Sequence, residues 1–189
     1  MPQKRPLFLL SYVAPNQKSC IPKNHLAACL YVYQNNIIMD TTLKSAAEGL
    51  NHLIIIANDG KEGYAQAADI VARPMLKAMF SRLATERAEF ATQLTVLVLA
   101  TGTQPESGTG PLGALHRVWV EIKSSLVADD DDAALKECIR GDETAVAAYE
   151  TVLKEHALTA EQQNIINQQL RLTSDALFSL RQELHGNNV

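Results

Sequence analysis

Four glutamates, Glu62, Glu86, Glu89 and Glu143, are the side chains best spaced to do chemistry, and the chemistry they suggest is a carboxylate-held pair of iron or manganese ions. Hard divalent metals take carboxylate oxygens. A helical bundle that holds such a pair supplies one Glu from each of two helices and a Glu-x-x-His from each of the other two. Glu62 and Glu143 suit the single positions, because each follows a glycine by two residues in Gly60-Lys61-Glu62 and Gly141-Asp142-Glu143. Glu86 and Glu89 stand where a Glu-x-x-His would, yet no Glu-x-x-His occurs in the sequence. Water or Gln169 would have to replace imidazole. His25, His52, His116, His156 and His185 fall in the N-terminal segment, near helix ends or between the second and third helices, away from mid-helix.

A structural reading competes at the same height. Strict heptad counting puts Lys61, Glu86, Asp142 and Thr173 inward, one from each of four helices. Such a set closes as an ion-pair and hydrogen-bond cluster and fixes register, as polar core residues do in coiled coils. Because the helix repeats every 3.6 residues and not every 3.5, the spacing leaves open whether Lys61 or Glu62 faces the axis. A solvated charged face is the third reading, since carboxylates on helices mostly sit in water. The missing histidines favour the structural cluster, with no cofactor and no catalytic residue, and leave the iron or manganese pair as the alternative. Cys138, on an apolar stripe, reads as a buried small hydrophobe, and Tyr64 and Tyr149 as core rings with a hydroxyl reaching a polar partner. Gly102, Gly108, Gly110 and Gly113 read as turn glycines, without the Lys-Ser/Thr of a phosphate-binding loop.

Four amphipathic helices must position these residues. The first, residues 42–71, carries Leu43, Ala47, Leu50, Ile54, Ala57, Lys61, Tyr64 and Ala68 on one stripe, with Thr41 or Thr42 as its N-cap. The second, 74–100, opens on Pro74 and carries Leu76, Met79, Leu83, Glu86, Phe90, Gln93 and Leu97. The third, 130–155, shows Leu135, Cys138, Asp142, Ala145, Tyr149 and Val152, and the aspartates at its start suit the positive end of the helix dipole. A Thr159/Gln162 capping box opens the fourth, which runs through Ile166, Gln169, Thr173, Ala176, Leu180 and Leu184 to Gly186. Short loops make the first and second, and the third and fourth, antiparallel neighbours. A polar, glycine-rich crossover over 100–131 joins the pairs, and 111–127 within it can form a shorter helix anchored by Trp119. The expected fold is an all-α, ferritin-like four-helix bundle of two antiparallel hairpins with a long second-to-third connection.

One domain suits the length of 189 residues, and a formal charge of −4 with mixed signs disfavours nucleic acid as a partner. Residues 1–38 hold Pro2, Pro6, Pro15 and Pro22, and their apolar runs are too short to span a membrane. Lys4 and Arg5 before an apolar run imitate a secretory leader, but no small-x-small cleavage site follows cleanly. The segment is expected to be poorly ordered or a misassigned start, and the bundle domain to cover 39–189. Three cysteines without metal or redox spacing, Cys20, Cys29 and Cys138, fit the cytoplasm. A homo-oligomer formed through helix faces is the expected assembly.

Three stretches resemble a known family: residues 59–64 (Asp-Gly-Lys-Glu-Gly-Tyr), 110–119 (Gly-Pro-Leu-Gly-Ala-Leu-His-Arg-Val-Trp), and 138–143 (Cys-Ile-Arg-Gly-Asp-Glu) followed by Tyr149. Together, over about 39–184, they resemble an uncharacterised bacterial family of ferritin-like four-helix-bundle proteins. The resemblance implies the bundle and leaves activity unassigned. Family members commonly carry Gly-Glu-Asp where this chain has Gly141-Asp142-Glu143, and a His-Asp pair where it has Ser174-Asp175. The resulting functional expectation is a non-catalytic structural, stress-associated or interaction protein, with a His-poor metal protein as the alternative.

Overall fold

The computed structural model describes residues 23–105 and 131–186, which form four α-helices and, among the described residues, no strand. They are α1 (Lys23–Ile70), α2 (Pro74–Ala100), α3 (Asp131–Glu155) and α4 (Ala160–Gly186). The expected crossover helix over 111–127, with Trp119, lies outside the described residues. Contacts divide the chain into two compact units, Met1–Ile37 and Ile38–Val189, and the packing below belongs to the second. No helix among the described residues is long and apolar enough to cross a membrane.

The expected N-cap at Thr41 or Thr42 is corrected. The helix is continuous from Lys23 through this point, and Thr42 Oγ1 donates to the Ile38 carbonyl at 2.8 Å, a bond made inside a helix. A threonine hydroxyl serves either as cap or as back-bond, so residue type alone did not place the start. Three other helix ends follow their local chemistry. Pro74 opens α2 behind an extended Arg73 (φ −71°, ψ 120°), the conformation that a following proline imposes. At the far end of α2 the Gly102 N–H closes on the Leu99 carbonyl at 3.0 Å with φ at +79°, a left-handed value that glycine adopts without steric penalty. The Thr159/Gln162 capping box is formed: the Gln162 N–H donates to Thr159 Oγ1 at 3.2 Å and the Thr159 N–H to Gln162 Oε1 at 2.8 Å.

Two apolar clusters fill the interior. One gathers Leu50, Leu53, Ile54 and Ala57 of α1 with Phe90, Leu94 and Val98 of α2, Tyr149 and Val152 of α3, and Ile166 of α4. The other gathers Tyr64, Ala68 and Val71 with Leu76, Phe80, Leu83, Leu135, Cys138 and Leu180. Each helix leaves a gap between them, and there the buried polar residues Asp59, Arg87, Asp142, Gln169 and Thr173 fall. Burying a side chain such as Leu or Phe is worth roughly 1.5–3 kcal/mol, so these clusters supply the drive that the polar gap must not undo.

Asp131 ties the α1–α2 turn to the start of α3. Its carboxylate accepts from the backbone N–H groups of Ala72 (2.7 Å) and Arg73 (3.2 Å) and from Arg73 Nε (2.7 Å), while Arg73 Nη1 reaches Glu183 on α4 at 3.0 Å. Burial works to raise the Asp131 pKa, but the Arg73 side chain and the two backbone donors outweigh it and hold the carboxyl below the ordinary aspartate value. A folded-state pKa depressed in this way contributes stability above the unfolded value, and that contribution is lost as pH falls through the folded one. Asp131→Asn should therefore destabilise the protein by about 1–2 kcal/mol near neutral pH. In urea unfolding series the gap to the parent protein should close below the ordinary aspartate range; a gap constant with pH would refute the assignment.

Candidate functional site

Arg87 organises the layer between the two apolar clusters. It is only 2% exposed, although it belongs to the residue types least often found inside. Its Nη2 donates to both oxygens of Asp142 on α3, at 3.2 Å each, and its Nη1 donates to Glu86 Oε1 at 2.7 Å. Tyr64 of α1 donates its hydroxyl to Asp142 Oδ2 at 2.7 Å. The guanidinium carbon lies 5.6 Å from the Tyr64 ring centroid and 5.2 Å from that of Phe90, within the range of cation–π attraction. On α1, Gly60 leaves the space for this side chain: a Cβ there would stand 3.4 Å from Arg87 Cγ and 3.5 Å from Cδ.

A second, neutral network lies beside the ion pair. Tyr149 donates to Gln169 Oε1 at 2.9 Å, and Gln169 Nε2 donates to Gln93 Oε1 at 2.8 Å and to the Phe90 carbonyl at 3.4 Å. Thr173 is fully buried and returns its hydroxyl to the Gln169 carbonyl at 2.9 Å. Helices α2, α3 and α4 are thereby cross-linked at the height where α1, α2 and α3 share the charge.

Burial shapes the proton affinities. It opposes the charge on Arg87, but Asp142, Tyr64 and Glu86 together outweigh it and the guanidinium is held protonated. Burial pushes the Asp142 carboxyl up, against the downward pull of Arg87 and the Tyr64 hydroxyl. It also drives Tyr64 and Cys138 well above their ordinary values, with Asp142 adding to both, and raises Tyr149. The phenols stay protonated hydrogen-bond donors, and the Cys138 thiol stays neutral in the core.

The four residues that heptad counting places in one layer differ in burial. Asp142 and Thr173 are buried, but Lys61 is exposed and Glu86 is half-buried at the flank, held by Arg87 and, at 3.8 Å, by Arg82. Glu62 is half-buried on α1, Glu89 is exposed, and Glu143 sits at the surface on Arg181 at 2.6 Å. Among the described residues no three of His, Cys, Asp or Glu converge as a metal ion would need, so the four glutamates are not brought together. The missed residue is Arg87, and a signal for it was present. Leu76, Leu83, Phe90 and Leu97 recur every seven residues in both possible phases of α2, and the other half of the seam is either Met79, Glu86 and Gln93 or Phe80, Arg87 and Leu94. Phe80 and Leu94 are the more apolar companions, and they carry Arg87 inward with them. On α1 the matching choice places Gly60, not Lys61, opposite.

Residues 45–155 match the model of a family described as a domain of unknown function, DUF2383. The fold is similar to the crystal structure of a conserved hypothetical protein of Mycobacterium tuberculosis, with a TM-score of 0.60 and 15% identity over 75% of this chain and 98% of that one. No curated protein is matched by the sequence.

Removing one partner of a buried ion pair strands the other charge, which costs on the order of 3–5 kcal/mol, whereas replacing both by apolar residues is often neutral or stabilising. Arg87→Met and Asp142→Leu should each lower the stability by about that amount, and the double variant should recover most of the loss. Chemical denaturation of the four proteins measures the cycle; additive single effects would show that the two side chains do not act as a pair.

Proposed function

The chain belongs to the DUF2383 family, and we propose that it acts as a non-catalytic structural or interaction protein of the ferritin-like class, in which an arginine supplies the interior positive charge. The reading rests on one observation above the others: the guanidinium of Arg87, 2% exposed, bridges Glu86 and Asp142 in the middle of the bundle. In a carboxylate metal protein, acidic side chains at this depth meet a cation from solution. Here the cation belongs to the chain and is always charged. The layer then serves helix register, since any slip between α2 and α3 would separate a buried charge from its counter-charge.

The ferritin-like topology draws support from the core clusters. The C-terminal halves of α2 and α3 share one cluster with the N-terminal part of α4, and the start of α2 shares the other with the end of α4. Helices α2 and α3 thus run in the same sense, which calls for a long connection between them, while α1 with α2 and α3 with α4 form hairpins. A cytoplasmic setting rests on the sparse, unpatterned cysteines of the sequence. Large apolar side chains on the helix surfaces support an interaction role: Val96 and Leu99, one turn apart on α2, and Phe178 on α4 are each more than half exposed.

The alternative, an iron or manganese pair on Glu62, Glu86, Glu89 and Glu143, requires Glu86 to leave Arg87 and Glu143 to leave Arg181. Metal analysis of protein purified without chelator separates the readings. No stoichiometric iron or manganese is expected; about two tightly held ions per chain, lost in Glu62→Ala/Glu143→Ala, would overturn the proposal. Light scattering tests the assembly. A dimer or larger species that dissociates on Val96→Lys/Leu99→Lys is expected, and a monomer at every concentration would remove the interaction role assigned to that face.

A further inference from the structure

We infer that one internal water molecule is a built part of the Arg87 layer, hydrogen-bonded to Arg87 Nε in a small pocket between α1, α2 and α3. Of the nitrogens on that buried guanidinium, Nη1 serves Glu86 and Nη2 serves Asp142, while Nε is buried and meets no acceptor among the described residues. Beside it lies a cavity of about 20 Å³ lined by Arg87, Asp59, Gly60, Tyr64, Asp142 and Tyr149, among others. Gly60 opens this space towards the nitrogen, because a Cβ at residue 60 would sit 3.8 Å from Nε.

Size and charge both select the ligand. A water needs roughly 10–15 Å³ of such space, so the cavity takes one water and excludes carboxylates and phosphates. An anion would meet the carboxylates of Asp59 and Asp142 as well as the guanidinium, and a metal cation would meet Arg87 itself. A neutral molecule that both accepts and donates meets neither conflict. Water accepts from Nε–H, and Asp59, Asp142, Tyr64 and Tyr149 among the lining residues carry the oxygens it can donate to, enough for the two to four partners that hold an internal water in place. Tyr64 and Tyr149 already spend their protons on Asp142 and Gln169, so their oxygens are left as acceptors. This assignment stands on the cavity and the unpaired nitrogen, and holds whether or not the protein has the function proposed above.

The arginine Nε–H gives its own signal in nitrogen-15 spectra, so the water can be observed from the atom it contacts. In the full-length protein the Arg87 Nε–H, identified by its loss in Arg87→Lys, should show a cross-relaxation peak to water with the sign of a bound molecule and not of proton exchange. Gly60→Ala, whose methyl meets only ordinary to slightly tight contacts with Arg87, should abolish the peak by filling the space. A crystal structure serves as the second measurement, with a single spherical density about 3 Å from Nε expected. A folded parent protein without the peak, its persistence in folded Gly60→Ala, or a pocket that is empty or holds an extended ligand in the crystal would each overturn the inference.

Discussion

Taking a guanidinium out of water costs several kcal/mol even after relaxation, so a bundle that places one at mid-height must arrange everything nearby to offset that loss. Around Arg87 the arrangement is visible atom by atom. Asp142 supplies the counter-charge from α3, Glu86 a second carboxylate from α2 itself, Tyr64 and Phe90 the faces of two rings, and Gly60 the space. Tyr64 donates to Asp142 and so links α1 to the pair. Each of these groups belongs to an element that also packs an apolar cluster, so the clusters and the layer position one another.

In the proposed reading this polar interior adds specificity more than stability. An all-apolar seam tolerates rotation or a one-turn slip with modest loss, whereas a buried charge tolerates neither. The neutral network of Tyr149, Gln169, Gln93 and Thr173 extends the same constraint to α4. In the proposed reading the arginine plays the part that a metal plays in carboxylate-lined bundles, with one difference in physics. A metal can leave or change oxidation state; a guanidinium does neither, and the phenols and thiol around it are held in their neutral forms by burial.

The ends of the bundle are set by separate and more local devices. Asp131 gathers two backbone N–H groups of the α1–α2 turn, Thr159 and Gln162 cap α4 reciprocally, and the His156 ring places Nδ1 2.7 Å from the Ser45 carbonyl, joining the end of α3 to α1. The acidic start of α3, read from sequence as a match to the helix dipole, thus has a second use that connects residues far apart in the chain.

What was legible in the sequence was whatever local periodicity and cap chemistry control: four helices, the proline and glycine that bound α2, the capping box of α4, and the inward stripes of α3 and α4, including Asp142 and Thr173. The start of α1 was not, because Thr42 offers the same hydroxyl to a cap or to a carbonyl one turn back. The rotations of α1 and α2 were not either. Leu76, Leu83, Phe90 and Leu97 fit both phases of a repeat that falls between three and four residues, so within α2 only the more apolar companions Phe80 and Leu94 favour Arg87 over Glu86 as the inward residue. The choice is made across the axis: Arg87 enters where Gly60 leaves room and Asp142 waits with a charge, and those partners lie 27 and 55 residues away in the chain.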